Sequence, residues 1–176
     1  MITLTAFRNL AEVILAFGSN EMGEHGGGAA RDAHKNFGAR WHVGFGHQGN
    51  SFAIPTCSKS TGQPGFQITP EALRFYIYCF ILFAKMNPTL EFKVSRIGTG
   101  LAGWQDAQVA PMFQEAPDNC FFDTAWADFL TPTTAAGLDR KYWGTYSAMA
   151  VAGAAGVATT TPTITLDQTL SLGDGN

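Results

Sequence analysis

VILAF, Val13 to Phe17, is continuously apolar and stops at Gly18. A strand with one wet face alternates; an unbroken short run reads as a buried strand, which needs cover on both faces. The residues that follow fit such an arrangement. GSNEMGEHGGG leads into AARDAHKNFG, which suits a short helix stopped by Gly38 as its C-terminal cap. SFAIP then reads as a second strand, broken by Pro55. The glycines before it (Gly44, Gly46, Gly49) mark either a loop beside a site or a twisted hairpin. ITPEALRFYIYCFILFAKMN is the strongest helix, with Thr69 as N-cap, Pro70 at the first helical position and Glu71 complementing the dipole. EFKVSRIG alternates Phe92, Val94 and Ile97 against Lys93, Ser95 and Arg96, so it reads as a strand, and it ends in GTGLAGW. WQDAQVAPMFQEA suits a helix that Pro111 either starts or kinks, and FFDTAWADFL adds a turn or a helix. Strands and helices in this order are an α/β pattern. Ligands in open α/β sheets sit beyond the carboxyl ends of the strands, so both glycine loops are expected at one end of the sheet.

The chain of 176 residues is long enough for one domain with a real core, with or without an appendage. Apolar residues make up 45% and charged residues 14%, which argues against a heavily solvated chain. A formal net charge of -3 excludes binding of nucleic acid by overall charge. A local anion site stays open, because backbone N–H groups bind phosphate without basic side chains. Cys57, Cys79 and Cys120 are odd in number and widely spaced, so they read as reduced thiols in a cytoplasmic compartment. The N-terminus lacks the basic region and clean apolar core of a signal peptide. FYIYCFILFA, Phe75 to Ala84, is shorter than the about 20 residues that span a bilayer, so it reads as a fully buried helix and no membrane partner is expected.

Composition changes after about Asp139. No Lys or Arg follows Lys141, SAMAVAGAAGVATTTPT is made of small residues and threonine, and TITLDQTLSL alternates. Two readings stand: a disordered tail, or an edge strand or arm that pairs with a partner chain. Domain organisation is accordingly read as 1–138 plus a C-terminal extension, 139–176.

Two stretches carry chemistry. In GSNEMGEHGGGAARDAHKNFGA, Asn20 ends a strand and HGGGAA enters a helix, whose first turn offers unpaired N–H groups and the positive end of a dipole to a phosphate. No G-K-[ST] follows its glycines and they do not fit G-x-G-x-x-G, so this stretch is neither a P-loop nor a dinucleotide fingerprint. IGTGLAGW, Ile97 to Trp104, is uncharged but rich in backbone donors. Trp104 either stacks on a sugar or base or is a core tryptophan at the loop edge. His25, His34, His42 and His47 lack metal-ligand spacing, so no metal is read.

FGSN…HGGGAARDAHKNFGA together with IGTGLAGW resembles the macro domain, the ADP-ribose-binding α/β/α module. With QGNSFAIPT between them, the order is similar to macro-like proteins carried by bacteriophages. The resemblance covers Val13 to about Phe129. It implies a three-layer α/β/α fold with a mixed central sheet. It places Asn20 beside the distal ribose, and Gly26, Gly27, Gly28 and Ala29 in the first diphosphate loop. Gly98, Thr99, Gly100, Leu101, Ala102 and Gly103 fall in the second, with Trp104 against the distal ribose. Asn9 or Glu12 lies near the acidic position that reads adenine in the family.

Hydrolytic macro domains place an aspartate where this chain has Ala30; Asp32 is two residues further on, about 200° round a helix. His34 matches a histidine of the family helix. If water is activated, His25, Asp32 or His47 must do it, each within hydrogen-bond reach of its proton. The implied function is binding of ADP-ribose or a related nucleotide, with ADP-ribosyl processing or sequestration of an ADP-ribose-derived signal in a phage-infected cytoplasm, and no cofactor. The alternative is a phage-particle assembly protein on the same scaffold, making homo-oligomer or particle contacts through residues 139–176. A nuclease is disfavoured by the lack of a carboxylate pair and a basic stripe.

Overall fold

β1 runs from Val13 to Asn20 and is buried along nearly its whole length. The computed structural model describes residues 2–59 and 66–145. Within them, β1 is followed by α1 (Gly28–Asn36), β2 (Gly46–Gln48), β3 (Ser51–Cys57), α2 (Pro70–Met86), β4 (Glu91–Val94), α3 (Asp106–Val109), β5 (Cys120–Asp123) and β6 (Lys141–Gly144). Short 3₁₀ turns cover Leu10–Glu12, Ala110–Phe113 and Thr124–Phe129.

The six strands form one mixed sheet in the order β2-β3-β1-β4-β5-β6. β1 pairs in parallel with β3 and β4, which explains its continuous apolar run: both edges and both faces are covered. β4, β5 and β6 continue in parallel, and β2 alone is antiparallel, folding back on β3 as a hairpin through Gly49 and Asn50. The hairpin reading of the glycines before SFAIP therefore describes that segment.

Alternation sorts the side chains into two faces. Ile14 and Ala16 of β1 join Phe52, Ile54, Phe92, Val94 and Phe122 against the buried side of α2. Leu15 and Phe17 join Ala53 on the opposite face, against Ala30 and Ala33 of α1. This is a three-layer α/β/α arrangement. A one-residue slip of β1 would exchange the two sets, so burial on both faces pins its register.

Local signals end the helices as expected. Thr69 Oγ1 accepts from Ala72 N at 3.2 Å, and Pro70 and Glu71 occupy the first turn of α2. Phe37 N and Ala39 N both return to Ala33 O at the end of α1, with Gly38 between them at φ +78°.

The structure corrects several expectations. Pro55 does not break β3, which continues to Cys57. Ala53 pairs outward with Gly46 of β2, and Pro55, two residues on, turns the same edge outward beyond the end of β2. Its missing N–H is therefore never needed. WQDAQVAPMFQEA does not form a continuous helix: α3 has 4 residues and tightens into a 3₁₀ turn at Ala110, where Pro111 withholds a donor. In CFFD, Cys120–Asp123 is a strand, and the expected turn begins only at Thr124. FYIYCFILFA is not fully buried, because one side of α2 faces outward. Lys141–Gly144 pairs with β5, so the sheet extends past the boundary read at residue 138. The small-residue run and TITLDQTLSL lie outside the described residues. Among the described residues, no helix is long and apolar enough to cross a membrane.

Candidate functional site

β1 and β4 are adjacent and parallel, so the loops that leave their carboxyl ends rise side by side. At their base the two chains nearly touch: a Cβ on Gly18 would lie 3.1 Å from Gly98 N. Higher up, a Cβ on Gly27 would lie 3.4 Å from Leu101 Cδ1. Gly27 is the N-cap of α1, and Leu101 is the exposed tip of the second loop, at 77%. The fold therefore brings together two glycine stretches whose contact residues, Gly27 and Leu101, are 74 residues apart in the chain.

The second loop is held from inside. Arg96 O accepts from both Thr99 N (3.3 Å) and Thr99 Oγ1 (2.9 Å), Gly100 O accepts from Gly103 N (3.0 Å), and Gly98 O accepts from Trp104 N (2.9 Å). Trp104 Nε1 donates to Thr56 O at 2.9 Å, tying the loop to β3. The N–H groups of Gly100, Leu101 and Ala102 meet no acceptor among the described residues. Across from them, Gly28, Ala29 and Ala30 open α1, where N–H groups have no intrahelical acceptor, and Gly27 brings no side-chain cap. Two sets of backbone donors thus flank the Gly27–Leu101 contact, with no carboxylate among residues 26–30 or 98–104.

The other expected residues are placed differently. Asn20 is buried and clamps its own turn, donating to Glu24 O (2.8 Å) and accepting from Glu24 N (3.0 Å). Both polar atoms that would face a ribose are thus spent on shaping the first loop. Trp104 is 4% exposed, with its N–H on Thr56, so its place is that of the core tryptophan at the loop edge. His25 is 1% exposed, packed between Phe17 and Trp41, with Nε2 on Arg40 O at 3.0 Å; it braces the first loop from below. Asp32 is half-buried within α1, past the first turn that faces the second loop. His47 is on β2, opposite Phe52, with its ring 5.1 Å from Phe83 of α2, on the sheet face away from α1. The sheet thus separates His47 from His25 and from Asp32 of α1. Asn9 and Glu12 sit at the amino end of β1, where they line a depression of about 160 Å³ with Arg8, Thr89 and Glu91. This depression is at the opposite end of the sheet from the glycine loops, and its Arg8–Glu91 ion pair closes the charges on each other.

Sequence reasoning missed the anchor of the second loop. Arg96, two residues before Gly98, donates Nε to Asp106 Oδ1 at 3.1 Å and Nη2 to Asp106 Oδ2, and Trp126 Nε1 adds 2.7 Å to Oδ1. Burial raises the Asp106 carboxyl, but the hydrogen bonds from Arg96 and Trp126 outweigh it and hold the group below its ordinary range. The guanidinium is committed to this carboxylate, so the loops offer an anion amides rather than a cation. Among the described residues, no three His, Cys, Asp or Glu side chains come together as a metal site requires.

Burial, the largest influence, pulls the His25 imidazole below its ordinary 6.5, although the carbonyls of Arg40 and Val43 pull the other way. Below pH 6.5 the unfolded chain then takes up a proton that the folded chain refuses. This contribution to stability is complete above that pH and is lost as pH falls through the folded-state pKa. Urea midpoints at about pH 7.5 and about pH 5 are expected to differ more in the wild type than in His25→Phe. Equal differences would remove His25 from the acid response.

No protein-family model, curated protein or solved structure matches this chain.

Proposed function

We propose that the two glycine loops bind ADP-ribose or a related nucleoside diphosphate. The observation that carries this reading is the meeting of Gly27 with Leu101, which sets the open first turn of α1 beside the unpartnered amides of Gly100 to Ala102. Such amides suit a diphosphate: they supply directed donors and a positive dipole end without a competing cation. The exposed Leu101 supplies apolar surface for a sugar or base at the mouth. The macro-like order of motifs supports the same ligand class, and a phage-infected cytoplasm is the setting that goes with it.

Binding is favoured over cleavage. Ala30 is buried where a hydrolase of this kind would place an acid, and His47 lies on the other face of the sheet from His25 and α1. A general base needs hydrogen-bond reach to the attacking water; the Nε2 of His25 is spent on Arg40 O, and His47 packs beside Phe83 on the sheet face away from α1. Calorimetric titration of the full chain with ADP-ribose should give a saturable heat, and the same ligand should raise the thermal midpoint. Absence of both at millimolar ligand would sink the proposal.

A further inference from the structure

The outer side of α2 does not look like the solvent side of a surface helix. Leu73, Ile77, Phe80, Ile81 and Ala84 face the sheet. Charged and polar residues normally fill the opposite side. Here Phe75, Tyr78, Leu82 and Met86 are 63%, 58%, 39% and 80% exposed. At about 100° per residue they fall within an arc of about 80°, and at about 1.5 Å per residue they make a stripe about 16 Å long. Single exposed apolar side chains are ordinary, but a contiguous stripe marks a binding surface. No described element covers it.

The charges at its ends identify the occupant. Glu71 lies at the amino end of the stripe and Lys85 at the carboxyl end, both exposed and 14 residues apart by their numbers. They are equidistant from Tyr78. A two-fold axis at Tyr78 therefore sets Glu71 of one copy against Lys85 of the other, twice, and brings Phe75 within one residue of Leu82. A parallel pair would instead oppose like charges. Self-complementarity under a two-fold rotation is what an isologous dimer requires. Helices that lie on membranes carry a Lys/Arg-rich rim; this stripe has an acid within its arc and only Arg74 and Lys85 beside it.

We infer that the outer face of α2 is a self-association surface, on which a second copy of this chain docks antiparallel. A stripe of this length is small for an interface, so association depends on concentration. Sedimentation of the full chain from micromolar to millimolar concentration should show a monomer–dimer equilibrium. Glu71→Lys and Lys85→Glu should each weaken it about tenfold or more. Their equimolar mixture should recover it, because both charge pairs are matched in the mixed dimer. Tyr78→Glu, at the axis, should give monomers while circular dichroism stays that of the wild type. A wild type that remains monomeric throughout overturns the inference, as do single charge variants that dimerise normally. Flotation of a monomeric wild type with phosphatidylglycerol–phosphatidylcholine vesicles would assign the stripe to a lipid surface instead.

Discussion

Gly98→Val is expected to destabilise the protein by about 3 kcal/mol, whereas Gly100→Val, two residues away, leaves stability nearly unchanged. Gly98 has φ +77°, and a Cβ there would lie 2.8 Å from Trp104 Cδ1 and 3.3 Å from Thr56 Cγ2. The left-handed backbone costs an L-residue about 1–2 kcal/mol, and forcing extra atoms into a packed site adds about 1–3 kcal/mol. Trp104 cannot retreat without breaking its 2.9 Å bond to Thr56 O. For a domain of this size the thermal midpoint should fall by about 10 °C. Gly100 has no atom within 4 Å of its Cβ position and no positive φ. Differential scanning calorimetry of the two variants checks the contrast. Equal midpoints would show that the Gly98–Trp104 contact does not hold the loop.

Gly27→Glu is expected to abolish ADP-ribose binding, with a loss of about 100-fold or more, or about 2.7 kcal/mol, and to leave the fold intact. The N-cap backbone at φ -145° is extended and open to any residue, and the new Cβ meets only the movable end of Leu101 at 3.4 Å. Replacing glycine at an N-cap shifts stability by about 1 kcal/mol at most. A carboxylate at about 4 Å from a phosphate, by contrast, costs about 4 kcal/mol at an effective dielectric constant of about 20. Gly27→Ala, which adds bulk without charge, should bind within about tenfold of the wild type. Calorimetric titration of the three proteins separates a blocked anion site from a misfolded loop. Undiminished binding by Gly27→Glu would move the ligand away from these loops.

Local rules made much of this molecule legible. Thr69, Pro70 and Glu71 announced the start of α2, and Gly38 the end of α1, because caps and left-handed glycines act within a few residues. The unbroken apolar run of β1 announced burial on both sides. β5 stayed hidden because CFFD is too short to show a period and becomes a strand only by pairing with β4 and β6. Asn119 went unnoticed for a similar reason. Its Nδ2 lies 3.0 Å from the carbonyls of Ala84, Asn87 and Leu90, joining the end of α2 to the start of β4, and no sequence spacing hints at that. At the site, the glycine loops were readable and the roles of Asn20, His25 and Trp104 were not. Each is polar or aromatic within a glycine-rich stretch, which suggests ligand contact, but each is turned inward to hold a carbonyl.

The sequence by itself determined the α/β alternation, the start of α2, the end of α1 and the placing of two donor-rich glycine loops after strands, all of which follow from short-range backbone preference and periodicity. Only the tertiary structure decided that β1 and β4 are neighbours, that Gly27 therefore meets Leu101, and that His47 lies on the other face of the sheet. It also decided which side of the apolar α2 is left uncovered. Strand order and burial depend on contacts between distant residues, and no local pattern encodes which of several apolar faces the sheet will cover.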